Sequence, residues 1–355
     1  MIPRKALLTR LALDILFFSA IYNLFKPGWR GVGLIFTLHH VKSSDDQPQA
    51  EFSPNRILTI TPEFLEETIT QVRASGYDIV DLTEARRRLL DKDFRKRFVC
   101  FTMDDGYQDN FSTALPIFRK HNVPFTVYVS TGIIDRTAVL WWEHLEEIIR
   151  HQEKIGLSLV GRQFDYPTST VDEKYHAFDA IYWYLRGLSQ SDQQTAIAEL
   201  LGKFDIDPAK LCEECAMTWE SLHELAQDDL VTIGAHTVSH YALSKLSPGE
   251  VNDEVVKGRQ ILAEKLGKLP AEHFAYPFGD SGSAAGREFN ILNKSGFLTS
   301  TTTRKGILFP EHRDHLHALP RVSLNGDYQK NRYVRLFLSG APFALWRRFR
   351  KLDVS

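Results

Sequence analysis

Asp104 and Asp105 stand side by side, followed by Gly106, at the end of the apolar, β-prone run Phe98-Val-Cys-Phe-Thr-Met103. Runs this apolar are typical of strands buried on both faces, as in a parallel sheet. Both carboxylates are therefore delivered to an open strand end. Neighbouring carboxylates repel unless a cation or a shared proton relieves them, and Gly106 lets the backbone turn sharply above them. Alone, Asp-Asp-Gly reads more readily as a solvated turn. About 130 residues on, Val231-Thr-Ile-Gly-Ala235 is a second short apolar run, and it ends in His236 and His240. Imidazoles four apart share one face of a helical turn and can reach one cation. Two histidines and one carboxylate leave positions open for water, as a catalytic zinc site requires. A lone His-x-x-x-His is as often two surface histidines. Together with the strand-end Asp-Asp-Gly and the segment Ala275-Tyr-Pro-Phe-Gly-Asp280, it is strong evidence for such a site.

These segments resemble the motifs of the NodB-homology polysaccharide deacetylases, a family of metal-dependent carbohydrate esterases. Thr102-Met-Asp-Asp-Gly106 is similar to the family's Thr-Phe-Asp-Asp-Gly, and His236-Thr-Val-Ser-His240 matches His-Ser/Thr-x-x-His at each defined position. The resemblance runs from about Leu34 to Ser323. It implies Asp104 as catalytic base and Asp105, His236 and His240 as ligands of a divalent cation, zinc first, with other divalent ions open. Permuted members carry the catalytic histidine near the N-terminus in Tyr-His-x-Val. Leu38-His-His-Val41 resembles that pattern loosely, which puts the general acid on His39, with His40 in support and His317 as a competitor. A pair of loop histidines is the plainer alternative for residues 39 and 40.

The chain departs from the family at the third motif, Arg-x-Pro-Tyr, where Ala275 replaces the Arg and Phe278 the Tyr. Tyr276, Pro277 and Phe278 remain the implied oxyanion and substrate-binding segment, because the donor there is a backbone N–H. Asp104 loses its usual cation. Arg321, near the end of the last strand, is the candidate substitute, and an ordinary surface arginine is the alternative. The fourth motif, an Asp-Trp pair, has no convincing equivalent.

Leu34 to Val41 reads as the first strand that must position these residues. Thr61-Pro-Glu opens a helix, with Thr61 as N-cap and Pro62 in the first turn. Tyr77–Val80, a helix over Thr83–Leu90, the Asp-Asp-Gly strand, a helix over Ala114–His121 and a strand from Val123 follow. Such alternation argues for a parallel barrel, and the resemblance implies a distorted (β/α) barrel of the polysaccharide deacetylase type. Barrel enzymes place their chemistry at the strand C-termini. The barrel is expected over residues 34–135 and 218–324. Residues 136–217 read as a mainly helical insertion, with helices over Trp142–His151 and Val171–Leu188 and a more polar stretch between. Trp141, Trp142, Tyr182, Trp183 and Tyr184 could stack on sugar rings, although aromatics at helical spacing are more often core.

The apolar run Leu11–Tyr22, preceded by Arg4, Lys5 and Arg10, is too short to span a bilayer. Asp14 interrupts it, and no clear small-x-small cleavage site follows. Residues 1–33 thus read as an amphipathic helix, packed on the barrel or lying on a membrane, with an uncleaved signal anchor as the second reading. Residues 325–355 are basic and aromatic-rich, and they suit a helix that closes the barrel or lies on anionic lipid. A net charge of −2 excludes the strongly basic field of a nucleic-acid-binding protein. A single Cys-x-x-Cys, Cys212 and Cys215, is a poor zinc finger. Reduced thiols are expected, with a loop disulfide as the alternative. A cytoplasmic protein, or one held peripherally at a bacterial inner membrane, is expected. The resemblance implies release of acetate from N-acetylglucosamine units of a chitooligosaccharide or polysaccharide. Its rivals are a deacylase of another N- or O-acyl group and a non-catalytic, metal-containing carbohydrate-binding protein. The oligomeric state is left open.

Overall fold

The structure is a computed structural model that describes residues 4–45, 51–267 and 271–354. Residues 1–3 and 355 of the two terminal segments lie outside the described residues. The chain begins with α1 (Arg4–Phe18) and α2 (Tyr22–Trp29), whose axes meet at 88°. One helix was expected, and two form because Ala20 takes a left-handed φ of +56° between them. There follow β1 (Gly33–Leu38), the parallel pair β2 (His40–Val41) and β3 (Thr59–Ile60), α3 (Pro62–Ala74), β4 (Asp78–Ile79), α4 (Leu82–Leu90) and β5 (Phe98–Met103). Thr61 caps α3 as its sequence signals suggest, accepting from Phe64 N at 3.2 Å. Next come α5 (Leu115–His121), β6 (Phe125–Val129) and the short α6 (Thr131–Ile134).

The insertion that follows contains α7 (Trp141–His151), β7 (Lys154–Leu159), β8 (Arg162–Pro167), α8 (Val171–Gly187), α9 (Gln190–Lys203) and α10 (Lys210–Cys215). The supposedly polar stretch between its helices is an antiparallel hairpin. Ile155, Leu157 and Leu159 alternate inward, and the two-residue turn Val160-Gly161 has φ of +47° and +76°. Left-handed residues at both turn positions match the twist of the flanking strands. Cys212 and Cys215 lie on α10, and all three cysteines are free thiols. The barrel resumes with α11 (Trp219–Leu225), β9 (Val231–Ala235), α12 (Pro248–Leu266), β10 (His273–Ala275), α13 (Gly286–Lys294), β11 (Thr299–Lys305) and β12 (Leu319–Ser323). The chain ends in α14 (Asn331–Ser339) and α15 (Ala341–Trp346). The single helix expected within residues 325–355 is broken at Gly340, which has φ +75° and lies so close to Trp29 O that a Cβ would sit at 1.7 Å.

Seven strands close a parallel barrel in the order β1-β12-β11-β10-β9-β6-β5 and back to β1, while β4 pairs with Phe98 and Val99 outside the ring. Alternation along β1 and β5 explains why both read as unbroken apolar runs. Leu34, Phe36, Leu38, Val99, Phe101 and Met103 pack with Leu65, Ile69 and Phe118 of the covering helices. Ile35, Phe98 and Cys100 pack with Tyr128, Ala275 and Leu319 of other strands. Successive strand residues face opposite ways, so Thr37, Thr102, Asp104 and Arg321 continue this second, inward set. The insertion has its own core, including Leu145, Ile149, Phe178 and Leu200.

Within that core, Glu146 is buried and accepts from Asn55 N at 2.8 Å. Burial, with Glu143 beside it, pushes its carboxyl up to about 7 despite its pairing with Arg150. The folded chain therefore keeps a proton between about pH 4.5 and 7 that the unfolded chain gives up. The stability this contributes at low pH is lost as pH rises through 7. Glu146→Gln retains an acceptor for Asn55 and removes the ionisation. It should be more stable than the parent at pH 8, by on the order of 1–3 kcal/mol, with little gain at pH 4.5. An equal shift at both pH values would contradict this.

Candidate metal centre and active site

β5 runs straight into the two carboxylates. Asp104 N donates to Leu38 O at 3.0 Å, which extends the β1–β5 ladder by one bond. The chain then turns with Asp105 at φ +76° and Gly106 at φ +86°. Both aspartates are buried. Asp104, inward by the strand alternation, receives both arms of the Arg321 guanidinium, Nη1 to Oδ1 and Nη2 to Oδ2, each at 2.7 Å. Arg321 is itself buried and braced by Thr302 O at 3.0 Å and Thr102 Oγ1 at 3.1 Å. Burial alone would raise the Asp104 carboxyl, but the Arg321 charge, with His236 beside it, holds it below the ordinary carboxylate value. A forked guanidinium on a buried carboxylate also fixes its orientation. The arginine absent at position 275 is thus replaced in space from β12.

The histidines do not lie on a helical turn. His236 N continues the sheet with a bond to Val129 O at 2.9 Å, and the chain then loops through Thr237 at φ +67° to His240 at φ +56°. The loop is held from outside by α12. Glu254 accepts from Val238 N at 3.0 Å, Ser239 N at 2.8 Å and Ser239 Oγ at 2.8 Å. Gly258 lets that helix approach, since a Cβ there would lie 3.1 Å from the Thr237 carbonyl. Packing, not helical periodicity, brings the two imidazoles together.

His236 Nδ1 lies 2.7 Å from Ala275 O, so it must be the N–H, which leaves the lone pair on Nε2. That Nε2 faces Asp105 Oδ1 at 3.4 Å, and His240 Nε2 faces the same oxygen at 3.2 Å. The three ligand atoms lie within 4.8 Å of one another and all are buried. Burial holds the His240 imidazole below its usual value, against the pull of Asp105, and so favours the neutral, ligating form. Asp105 Oδ1 has no hydrogen-bond partner. A tetrahedral ion with 2.0–2.2 Å bonds separates its ligand atoms by roughly 3.3 Å. The residues present therefore fit a small divalent cation.

His39 occupies the break between β1 and β2, with Nε2 3.9 Å from Asp104 Oδ2. Burial pushes its imidazole below the usual value, more than Asp104 and Asp105 raise it. His40 turns elsewhere. Its Nδ1 is 2.6 Å from Asp109 Oδ2 and its ring stacks on Tyr107 at 3.7 Å. His317 Nδ1 is engaged with Ser300 Oγ at 3.1 Å, and its backbone oxygen accepts from Tyr276 Oη at 2.9 Å. Tyr276 is thus spent on structure. Phe278 sits at φ +60° with its ring 4.9 Å from that of His240.

Several neighbours of the site were not foreseen. Trp142 of α7 brings its ring to 5.0 Å from His240 and 5.9 Å from Phe278, with Nε1 buried and unpartnered. The aromatic run was noted, but its place beside the histidines depends on how the insertion folds back. Trp141 and Tyr182 lie behind it, while Trp183 is exposed. Asp109 could have been suspected from its place five residues after Asp104. Glu254 carried no signal beyond an ordinary helix pattern.

Comparison with known proteins agrees with the geometry. Residues 91–297 match the family model described as polysaccharide deacetylase. A Bacillus subtilis protein, YxkH, named as a polysaccharide deacetylase, is 25% identical over 154 residues, 43% of this chain. That match spans about half of the relative, 48% of its length. Among solved structures, the Streptococcus pyogenes deacetylase PplD in complex with acetate superposes with a TM-score of 0.54 at 16% identity, covering 86% of this chain and 96% of that one. IcaB from Ammonifex degensii gives 0.52 at 18%, covering 86% and 97%. At these identities the structural likeness establishes the fold.

Proposed function

The chain belongs to the polysaccharide deacetylase family, and from that membership we propose that it removes N-acetyl groups from N-acetylglucosamine residues of an oligo- or polysaccharide, releasing acetate. In this reading Asp105, His236 and His240 hold a divalent cation, zinc first. The observation that carries it is the Asp105 oxygen, buried and without a hydrogen bond, facing two imidazole nitrogens beside a second carboxylate. When bound, such a cation would supply Lewis-acid polarisation of the substrate carbonyl and of a water. Asp104, kept ionised and aimed by Arg321, takes a proton from the attacking water at a carboxylate oxygen. His39, 3.9 Å from the same carboxylate, gives a proton to the departing sugar amine, so the amide C–N bond breaks to acetate and free amine. The Phe278 N–H contributes to holding the oxyanion.

A purely binding role is disfavoured by Asp104. A structural metal needs ligands, but no second, separately paired carboxylate beside them. The test is acetate release from chitin oligomers by the purified protein, with and without a chelator. Release that stops on chelation and returns with added zinc is expected. No acetate from chitin oligomers, with acetate from O-acetylated glycans instead, would move the assignment to another acyl group.

A further inference from the structure

The outer face of α1 is apolar where a water-facing helix is polar. Leu7, Leu11, Ile15 and Phe18, spaced along one stripe, are exposed, Phe18 at 73%. Two of its polar residues, Arg10 and Asp14, are turned to the protein instead. Arg10 Nε donates to Asp327 O, and Asp14 pairs with Arg332 at 2.7 Å. A helix covered by water shows the opposite arrangement. The face continues through Ile21 and Leu24, the latter 80% exposed, to Leu345, Trp346 and Phe349 at the other end of the chain. The two ends are joined by packing, with Phe25 stacked on Phe349 at 6.2 Å and Trp29 edge-on to it at 5.6 Å. Ten of the fourteen exposed large apolar side chains among the described residues lie in these two segments, so the clustering is not scatter.

Charge singles out the same region. Residues 1–33 and 331–355 contain eleven Lys and Arg against two acids, a net +9, whereas the whole chain carries −2 and the remainder therefore −11. An open cleft of about 510 Å³ at the C-terminal end is lined by Lys305, Arg347, Arg348 and Arg350 around Trp346, with Asp353 its one acid. No single helix among the described residues is long and apolar enough to cross a membrane. At 15 residues, α1 spans only about 22 Å, short of a bilayer core of about 30 Å.

We propose that the face built by α1, α2 and α15 docks on an anionic lipid bilayer, with the apolar stripe sunk among the headgroups and the basic cleft over their phosphates. Apolar area ringed by Lys and Arg is what such a surface binds. A second copy is a poorer occupant, because it would set one basic C-terminal end against another. The proposal stands independently of the deacetylase reading.

The test is co-sedimentation of the full chain with vesicles of phosphatidylcholine alone or phosphatidylcholine with phosphatidylglycerol. Binding to the anionic vesicles is expected, with release in high salt. The pair Leu11→Asp with Ile15→Asp, and the pair Arg348→Glu with Arg350→Glu, should each weaken it by roughly tenfold or more. These positions are exposed, so melting should match the parent, and acetate release from a soluble substrate should be unchanged. Failure of the parent to bind anionic vesicles, equal binding by the variants, or a solution dimer dissolved by the same substitutions without vesicle binding would each overturn the proposal. Salt release of the parent is a reading that needs no variant.

Discussion

Asp104→Asn is expected to lower turnover by about 10²- to 10⁴-fold, the usual worth of a general base, while the protein keeps its metal. The cation's ligands are untouched, since Asp105 and the two histidines are separate side chains. An amide cannot take the water's proton. The structure adds a second consequence. Arg321 is wholly buried and both its arms end on Asp104, so the substitution leaves a buried cation with a neutral partner. Removing one member of a buried pair typically costs about 3–5 kcal/mol, and an amide oxygen that still accepts one bond should bring the loss toward the lower figure. Combining Asp104→Asn with Arg321→Met should recover much of the melting temperature and none of the turnover. Turnover of the single variant within about threefold of the parent, below the range expected of a base, would show that another group takes the proton.

Loss of the metal is the second large effect. Asp105→Ala and His240→Ala should each purify with no bound cation where the parent carries one equivalent. Two ligands cannot close a site that three barely fill, and the remaining groups do not replace the lost one. Metal analysis of dialysed protein reads this directly. Binding to the folded state alone stabilises it, so a chelator should lower the parent's melting temperature and leave that of His240→Ala unmoved. Asp105 lies at φ +76°, a conformation that asparagine tolerates better than alanine. Asp105→Asn therefore separates the missing ligand from backbone strain. Full metal content in His240→Ala would sink the ligand set.

Much of this arrangement could be read along the chain, for definite reasons. β1 and β5 are buried on both sides, so their apolar runs announce a barrel, and the carboxylates interrupt one at its end. The inward position of Arg321 follows from counting by twos from Leu319, once the β12 strand is recognised. For the histidine loop, spacing alone cannot distinguish a helical turn from a loop pinned by Glu254, whose hold depends on a helix beginning eight residues after His240. The terminal helices were read as single because Ala20 and Gly340 do their work through backbone angles and, at Gly340, through contact with Trp29. The hairpin in the insertion went unseen because only one of its two strands alternates cleanly.

The clamp of Glu254 on residues 238–239 bears on which ions the proposed site would accept. A loop tied at three points to a neighbouring helix cannot relax outward when a larger ion enters. The spacing of 3.2 and 3.4 Å from the Asp105 oxygen to the two nitrogens would, in the proposed site, act as a gauge of ionic radius. Calcium, with bonds of about 2.3–2.6 Å and a need for six to eight oxygens, would find the aperture narrow and its donors mostly the wrong element. In the proposed site, dications that favour nitrogen would find the better match.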